Sequence, residues 1–342
     1  MNKIYIVIKA YNESLAKRQP WYSVKKLISD LEVKKIDVEL VSSINLIPNN
    51  FNGNVVKIFG IKDLFTNKDR RYKLFYLMTF PVYGIEKFLS FSFKTTVENW
   101  SNLKRIFLIS LMPKIILKYA LQKADDIIVI SDRSEKYLSQ IVNTKKYIPF
   151  IFNNWGGIKK EENMLKDIQT IGYFGPPFTT RSFDDVINFF TWLNLKKEKF
   201  NKKIITRIER DELKDIENKY LSKIKDDESL TVVSGFLDRE LLAIELLKID
   251  VLILPFKIVM SELPVVVLEA LELGIPIITT EDSGIEEITR GQNNILVLEN
   301  FKENKFDVAL KFIQSFERDD FEKVKNIIET TNEDTLEILC QK

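Results

Sequence analysis

No histidine occurs among the 342 residues, and cysteine occurs once, at Cys340. Without histidine there is no Ser-His-Asp triad, no His-ligated zinc and no His general base. A single cysteine excludes an intramolecular disulfide and a cysteine metal site, and points to a reducing cytoplasm. Long hydrophobic runs are also missing: Pro113 and Lys114 interrupt IFLISLMPKIIL, and nothing approaches the roughly 20 apolar residues that span a bilayer. The apolar stretch before Lys9 is only five residues long, too short for a signal peptide. A soluble or peripheral protein is expected. There is no short repeat and no low-complexity tract.

What is present is an alternation of apolar strand-length runs with amphipathic helical stretches. In the first half, strands are expected at Lys3–Ile8, Val38–Ser42, Val55–Phe59, Leu74–Phe80, Asp126–Ile130 and Tyr147–Phe150, with a helix from about Pro20 to Glu32. In the second, strands are expected at Ile168–Phe174, over KIITRIER, and at Leu230–Leu237 and Val251–Leu254. The pattern argues for an α/β protein of two doubly wound, Rossmann-like domains, residues 1–160 and 161–342. The boundary falls in the polar stretch Asn153–Asp167, and each half is long enough for its own core.

Net charge is only +2, but it is unevenly spread. Residues 1–160 hold 27 Lys and Arg against 13 Asp and Glu, and the remainder 24 against 36. A basic first domain and an acidic second would attract one another. The basic domain would also suit an anionic lipid surface, because Leu74–Leu121 interleaves aromatic and aliphatic residues with Lys87, Lys94, Lys104, Arg105, Lys114 and Lys118. An ordinary helical core with solvated lysines has the same composition. No nucleic-acid partner is implied.

The most informative stretch is Asp250–Ile288, DVLILPFKIVMSELPVVVLEALELGIPIITTEDSGIEEI. Val251–Leu254 reads as a strand buried on both faces. A helix is expected from about Leu263 to Leu273, with Ser261 as N-cap, Pro264 in its first turn, Gly274 at its C-cap and Pro276 beyond. The first-turn amides, around Leu263, Pro264 and Val265, would face the crevice beyond the strand, where the helix dipole favours a diphosphate. Glu262 and Glu269 are seven residues apart, which on a helix places both carboxylates on one face. In isolation, each fits a capping or solvated glutamate equally well.

These residues resemble the donor-binding segment of the retaining GT-B glycosyltransferases, glycosyltransferase family 4 (group 1), with a Glu, a short turn and a Leu-Glu-Ala helix ending in Gly-x-Pro. The likeness covers about forty residues closely. It implies a GT-B fold, two Rossmann-like domains facing a cleft, the last helix crossing back to the first domain. It assigns Glu269 to the nucleotide ribose and the first glutamate to donor-sugar hydroxyls. The spacing departs from the family, since eight positions before Glu269 stands Ser261, with Glu262 one place later. Either Glu262 serves from a shortened loop, or Ser261 and nearby amides replace it.

Upstream, YFGPPFTTRSFDDVINFF turns through Gly175, Pro176 and Pro177 into a helix. In the family this loop carries two cations that neutralise the diphosphate as the sugar leaves. Arg181 matches the second, whereas Pro176 stands where the first would be, which puts the leaving-group charge on Arg181 and the helix start. Arg181 and Glu262 are the candidate catalytic residues. Phe236, in the turn after Leu230–Leu237, would lie along the base, although a core phenylalanine fits as well. Thr206–Arg210 are weak candidates at the same crevice. On the acceptor side, the loop after the first strand offers Tyr11, Asn12 and Ser14, which loop polarity alone also explains.

No Asp-x-Asp occurs, so a metal-holding carboxylate pair of the other large glycosyltransferase fold is not expected; Asp125-Asp126 and Asp184-Asp185 read as helix-end charges. The resemblance implies a nucleotide-sugar-dependent hexosyltransferase needing no metal or other cofactor, acting on a saccharide or lipid-linked acceptor in cell-surface polysaccharide or glycoconjugate synthesis. It would be cytoplasmic, peripheral on the inner face of the membrane. The missing histidine, which the family often places in the first domain, leaves open a catalytically silent GT-B subunit that scaffolds an active partner.

Overall fold

The structure, a computed structural model, describes residues 3–9, 21–60, 62–63, 71–89, 100–152, 155, 169–208, 211–235, 237–259, 262–316 and 321–341. It divides into two compact units. One comprises Met1–Ile151, Met260–Leu263 and Val324–Lys342, and the other Phe152–Val259 and Pro264–Lys323.

In chain order the first unit holds β1 (Lys3–Val7), α1 (Trp21–Val33), β2 (Asp37–Val41), β3 (Asn54–Ile58), β4 (Lys73–Leu77), α2 (Ile85–Leu89), α3 (Trp100–Ser110), α4 (Lys114–Leu121), β5 (Asp126–Val129), α5 (Asp132–Leu138) and β6 (Thr144–Lys146). Its sheet runs β2-β1-β3-β4-β5-β6 and is parallel throughout. Strand order reverses between β1 and β3, and open parallel sheets bind ligands beyond the carboxyl ends of the strands at such a point. The core includes Tyr5, Val55, Phe59, Tyr76, Leu117 and Val129, all buried.

The second unit holds β7 (Thr170–Phe174), α6 (Phe183–Leu195), β8 (Asn201–Thr206), α7 (Asp211–Leu221), β9 (Leu230–Ser234), α8 (Arg239–Leu247), β10 (Val251–Leu254), α9 (Val265–Glu272), β11 (Ile277–Thr280), β12 (Ile295–Leu298) and α10 (Phe306–Ser315). Its order β9-β8-β7-β10-β11-β12, again parallel, is the dinucleotide-fold order 3-2-1-4-5-6. The reversal lies between β7 and β10. Every residue of β10 and β11 is buried, as apolar strands covered on both faces require. Against them packs an aromatic cluster in which Phe189 meets Phe301 and Phe306 at centroid separations of 5.3 and 5.0 Å.

The last helix, α11 (Glu322–Cys340), belongs with the first unit from Val324 onward. Asn54 Nδ2 donates to the carbonyls of Leu339 and Gln341, and Lys34 pairs with Glu333.

Tyr147–Phe150, expected as a strand, is irregular, and β6 ends at Lys146. Pro149 has no N–H to give a ladder. The main chain of Ile148 is matched instead by a side chain: its N–H donates to Asn332 Oδ1 (2.6 Å), and Asn332 Nδ2 donates to its carbonyl (2.9 Å). The N-cap of α9, expected at position 261, falls three residues later. That place is taken by Pro264, which has no side-chain hydrogen bond to give. The other end is as the spacing predicts. Gly274, at φ +78°, lets Ile275 N–H reach Ala270 O and Gly274 N–H reach Leu271 O, a Schellman closure.

Candidate functional site

At the reversal in the second unit, two loops leave adjacent strands. The loop after β7 runs from Gly175 through Pro176 and Pro177 into a single 3₁₀ turn, Thr179–Arg181, and then into α6. The loop after β10 is tied to it, because the amides of Lys257 and Ile258 both donate to Thr180 O, at 2.9 and 3.1 Å. Lys257 Nζ then holds both carboxylates of the first turn of α6, Asp184 and Asp185, each at 2.8 Å. The two acids are therefore paired charges at a helix start, where the dipole favours them. Lys257 was not singled out in the sequence, where only its strand-end position in PFK hinted at a role.

Arg181 is placed by Gly175. At φ +144° Gly175 has a backbone that side-chain-bearing residues rarely adopt, and a β-carbon there would stand 2.9 Å from Arg181 Nη1. The guanidinium carbon lies 5.3 Å from the centroid of Phe256. Tyr173, beneath the loop, donates its hydroxyl to Pro176 O at 2.7 Å. Burial lowers the pKa of Arg181, with Tyr173 opposing that shift and the neighbouring Arg207 cation adding to it. Among the described residues no carboxylate lies within ion-pair distance of Arg181. A cation so placed gains from an arriving anion. Arg207, next to Gly175 through its amide (3.4 Å to Gly175 O), brings a second guanidinium to a loop in which Pro176 had removed one.

Thr206, at the end of β8, is buried. Its hydroxyl bonds Glu217 and Ser234 Oγ, so it serves the interior of the unit. Gly235 closes the turn after β9 at φ +125°. Phe236, Ser261, Tyr11, Asn12 and Ser14 lie outside the described residues, as do Glu209 and Arg210.

The two glutamates do not share a helix face. Helix α9 begins only at Val265, so Glu262 precedes it, and the seven-residue spacing carries no helical meaning. Glu262 belongs with the first unit and is fully buried there. Ser131 Oγ donates to its Oε1 at 2.7 Å, Arg133 Nη2 donates to its backbone carbonyl at 3.2 Å, and the same Nη2 stands 3.7 Å from its Oε2. Arg133 itself lies over the ring of Tyr83, at 4.5 Å. Burial raises the pKa of Glu262, against the pull of Arg133, Ser134 and Ser131. Leu263 and Pro264 are buried, and Val265 is half-buried. The Val267 amide is satisfied by Pro264 O, and no side chain caps the turn before it.

Glu269 is half-buried on α9 and held from two directions within the second unit. Arg239 Nη2 meets its Oε1 at 2.9 Å, and the indole N–H of Trp155 donates to its backbone carbonyl at 3.2 Å. The Arg239 guanidinium carbon sits 4.5 Å from the Trp155 ring centroid. Sequence reasoning passed over both. One signal was available: Arg239 is the first residue of α8, behind the N-cap Asp238, where the helix dipole disfavours a cation.

Residues 192–314 match the family model described as Glycosyl transferases group 1. No curated protein shows a significant sequence match. Among solved structures, sucrose-phosphate synthase from Thermosynechococcus elongatus superposes with a TM-score of 0.64 at 13% identity, covering 100% of this chain and 95% of its own. Anabaena Alr3699/HepE, solved with UDP, gives 0.59 at 12% identity over 99% of both chains. The lipopolysaccharide glycosyltransferase WaaG gives 0.54 at 13% identity, over 99% of this chain and 95% of that one. At such identities the superpositions speak for the fold, and the family match speaks for residues of the second unit. The fold is GT-B, and residues 192–314 carry the similarity to the group 1 glycosyltransferases.

Proposed function

We propose that the second unit binds a nucleotide sugar and that the chain transfers its sugar, with retention and without a metal, to a saccharide or lipid-linked acceptor. The observation that carries this reading is Arg181. It is a half-buried guanidinium with no carboxylate partner among the described residues, set by Gly175 beside the strand-order reversal and tied through Thr180 to the loop that leads into α9. In this reading Arg181 and the uncapped first turn of α9 take the diphosphate, and Glu269 takes the ribose. Neutralising the leaving diphosphate is the chemical work asked of the protein. Glu262 is left outside the donor contacts because its carboxylate is fully buried in the first unit, with Ser131 on Oε1 and Arg133 at ion-pair distance from Oε2. The absence of Asp-x-Asp supports the metal-free form.

The acceptor falls to the first unit in this proposal, at a membrane face. Helices α3 and α4 and the link between them expose Leu108, Leu111, Ile115, Ile116 and Tyr119 next to exposed Lys104, Lys114 and Lys118. Apolar residues ringed by lysines suit an anionic headgroup layer. Among the described residues no helix is long and apolar enough to cross a membrane. A peripheral position on the cytoplasmic face, in the synthesis of a surface polysaccharide or glycoconjugate, follows within the proposal.

Thermal stabilisation against UDP, GDP, ADP, dTDP and CMP tests the donor site, with Glu269→Ala as control. A nucleotide at 100 times its Kd that binds only the folded chain adds about 2.7 kcal/mol. A shift with one nucleotide, lost in the variant, is expected. No shift with any of them would sink the proposal, and binding without transfer would favour a silent subunit serving a partner.

A further inference from the structure

We propose that Arg239, standing on Trp155, is the positioning residue for the ribose contact. The inference rests on the reading that Glu269 takes the ribose, and concerns what makes that glutamate ready to do so. A glutamate on a helix surface ordinarily samples several rotamers, and ordering them on binding weakens affinity. Glu269 is already ordered. Its carboxylate Oε1 is held at 2.9 Å by Arg239 Nη2, and its carbonyl receives the Trp155 indole N–H at 3.2 Å as well as the Leu273 amide of its own helix at 3.1 Å. Trp155 is itself buried, and its ring supports the guanidinium carbon at 4.5 Å, so Arg239 is fixed by contacts that do not involve the carboxylate.

The pairing is also of the right kind. Arg239 Nη2 takes one acceptor position, on Glu269 Oε1, of the roughly four that a carboxylate offers. Vicinal ribose hydroxyls donate, so they add to a carboxylate already held by a cation. An ionised carboxylate is purely an acceptor. Arg239 occupies the first position of α8 against the helix dipole, a local cost that the Glu269 and Trp155 contacts offset.

Calorimetric titration of UDP, GDP and ADP, each beside its 2′,3′-dideoxy form, into the wild type, Arg239→Gln and Arg239→Lys separates the roles. The wild type should bind one ribonucleotide about tenfold more tightly than its dideoxy form, the size of one hydrogen bond to a charged group. Arg239→Gln should lose most of that ratio while binding the dideoxy form like the wild type, and Arg239→Lys should recover part of it. Equal weakening of both forms would show a merely structural residue. Tighter ribonucleotide binding in Arg239→Gln would show that the arginine competes with the ribose. Either result overturns the inference while leaving the donor site standing. Failure of the wild type to bind any of the nucleotides would instead remove the donor-site reading, and this inference with it.

Discussion

The guanidinium of Arg181 occupies the space that a side chain on Gly175 would need. A β-carbon at Gly175 would lie 2.9 Å from Nη1, and the φ of +144° already favours glycine. Gly175→Ala therefore carries two penalties, backbone strain and displacement of the cation. A loss of about 1–3 kcal/mol in folding stability is expected from the strain, together with weaker nucleotide binding. Urea denaturation beside nucleotide titration checks both, and unchanged affinity would mean that Arg181 does not need this seat.

Arg181→Ala should lower the rate of sugar transfer more than it weakens donor binding, because the diphosphate gains charge as the sugar departs. A fall of about 10²-fold in kcat is expected, the scale of losing one preorganised charge contact. Steady-state kinetics with the donor found by nucleotide screening decides it. A change confined to KM would assign Arg181 to binding alone.

If the reaction is metal-free, transfer measured in EDTA should match transfer in buffer. Loss of activity that Mn²⁺ or Mg²⁺ restores would place a cation at the diphosphate and displace Arg181 from the leading role.

Asp227 gives the second unit a predictable response to acid. Burial opposes its charge, but hydrogen bonds from Ser229, Asn194 and Lys202 outweigh that and hold the carboxyl down at about 2. A depressed folded-state pKa stabilises above the unfolded value of roughly 3.9, and the contribution fades as pH falls toward about 2. Lys202, whose side chain is 1% exposed, would be left without its carboxylate in Asp227→Asn. The variant should be less stable by about 3 kcal/mol near pH 7, as for one broken buried pair, and the gap should close between about pH 4 and pH 2. Urea midpoints across that range measure it.

The exposed faces of α3 and α4 predict lipid binding. Cosedimentation with vesicles containing phosphatidylglycerol should exceed that with pure phosphatidylcholine, and the double variant Ile115→Glu, Tyr119→Glu should reduce it by about tenfold or more through lost apolar insertion and added repulsion. Equal sedimentation of variant and wild type would remove the membrane face from the proposal.

Much of the second unit was readable because its signals are local. Gly274 and Pro276 end α9 in the sequence as in the structure, since a helix cap depends on its neighbours within a few residues. The apolar run Val251–Leu254 announced a covered strand for the same reason, as its burial follows from its own composition. Gly175 and Arg181 were legible as a loop with a cation, through a resemblance in pattern.

Where a residue's partner is far away in the chain, local reading went astray. Tyr147–Phe150 has strand composition, yet its backbone is matched by Asn332, 184 positions from Ile148. Glu262 has helical spacing to Glu269, yet Pro264 delays the helix and Ser131 and Arg133 bury the carboxylate. Arg239 and Trp155 carry no motif, and only folding brings them to Glu269. The sequence by itself determined the alternation of strands and helices, the strand-loop-helix segment of the second unit and the chemistry that no histidine can perform, because composition and short-range periodicity suffice for these. Tertiary structure alone decided which carboxylates are held, by which cations and in what surroundings, because hydrogen bonds and ion pairs depend on distances between residues that the chain order leaves far apart.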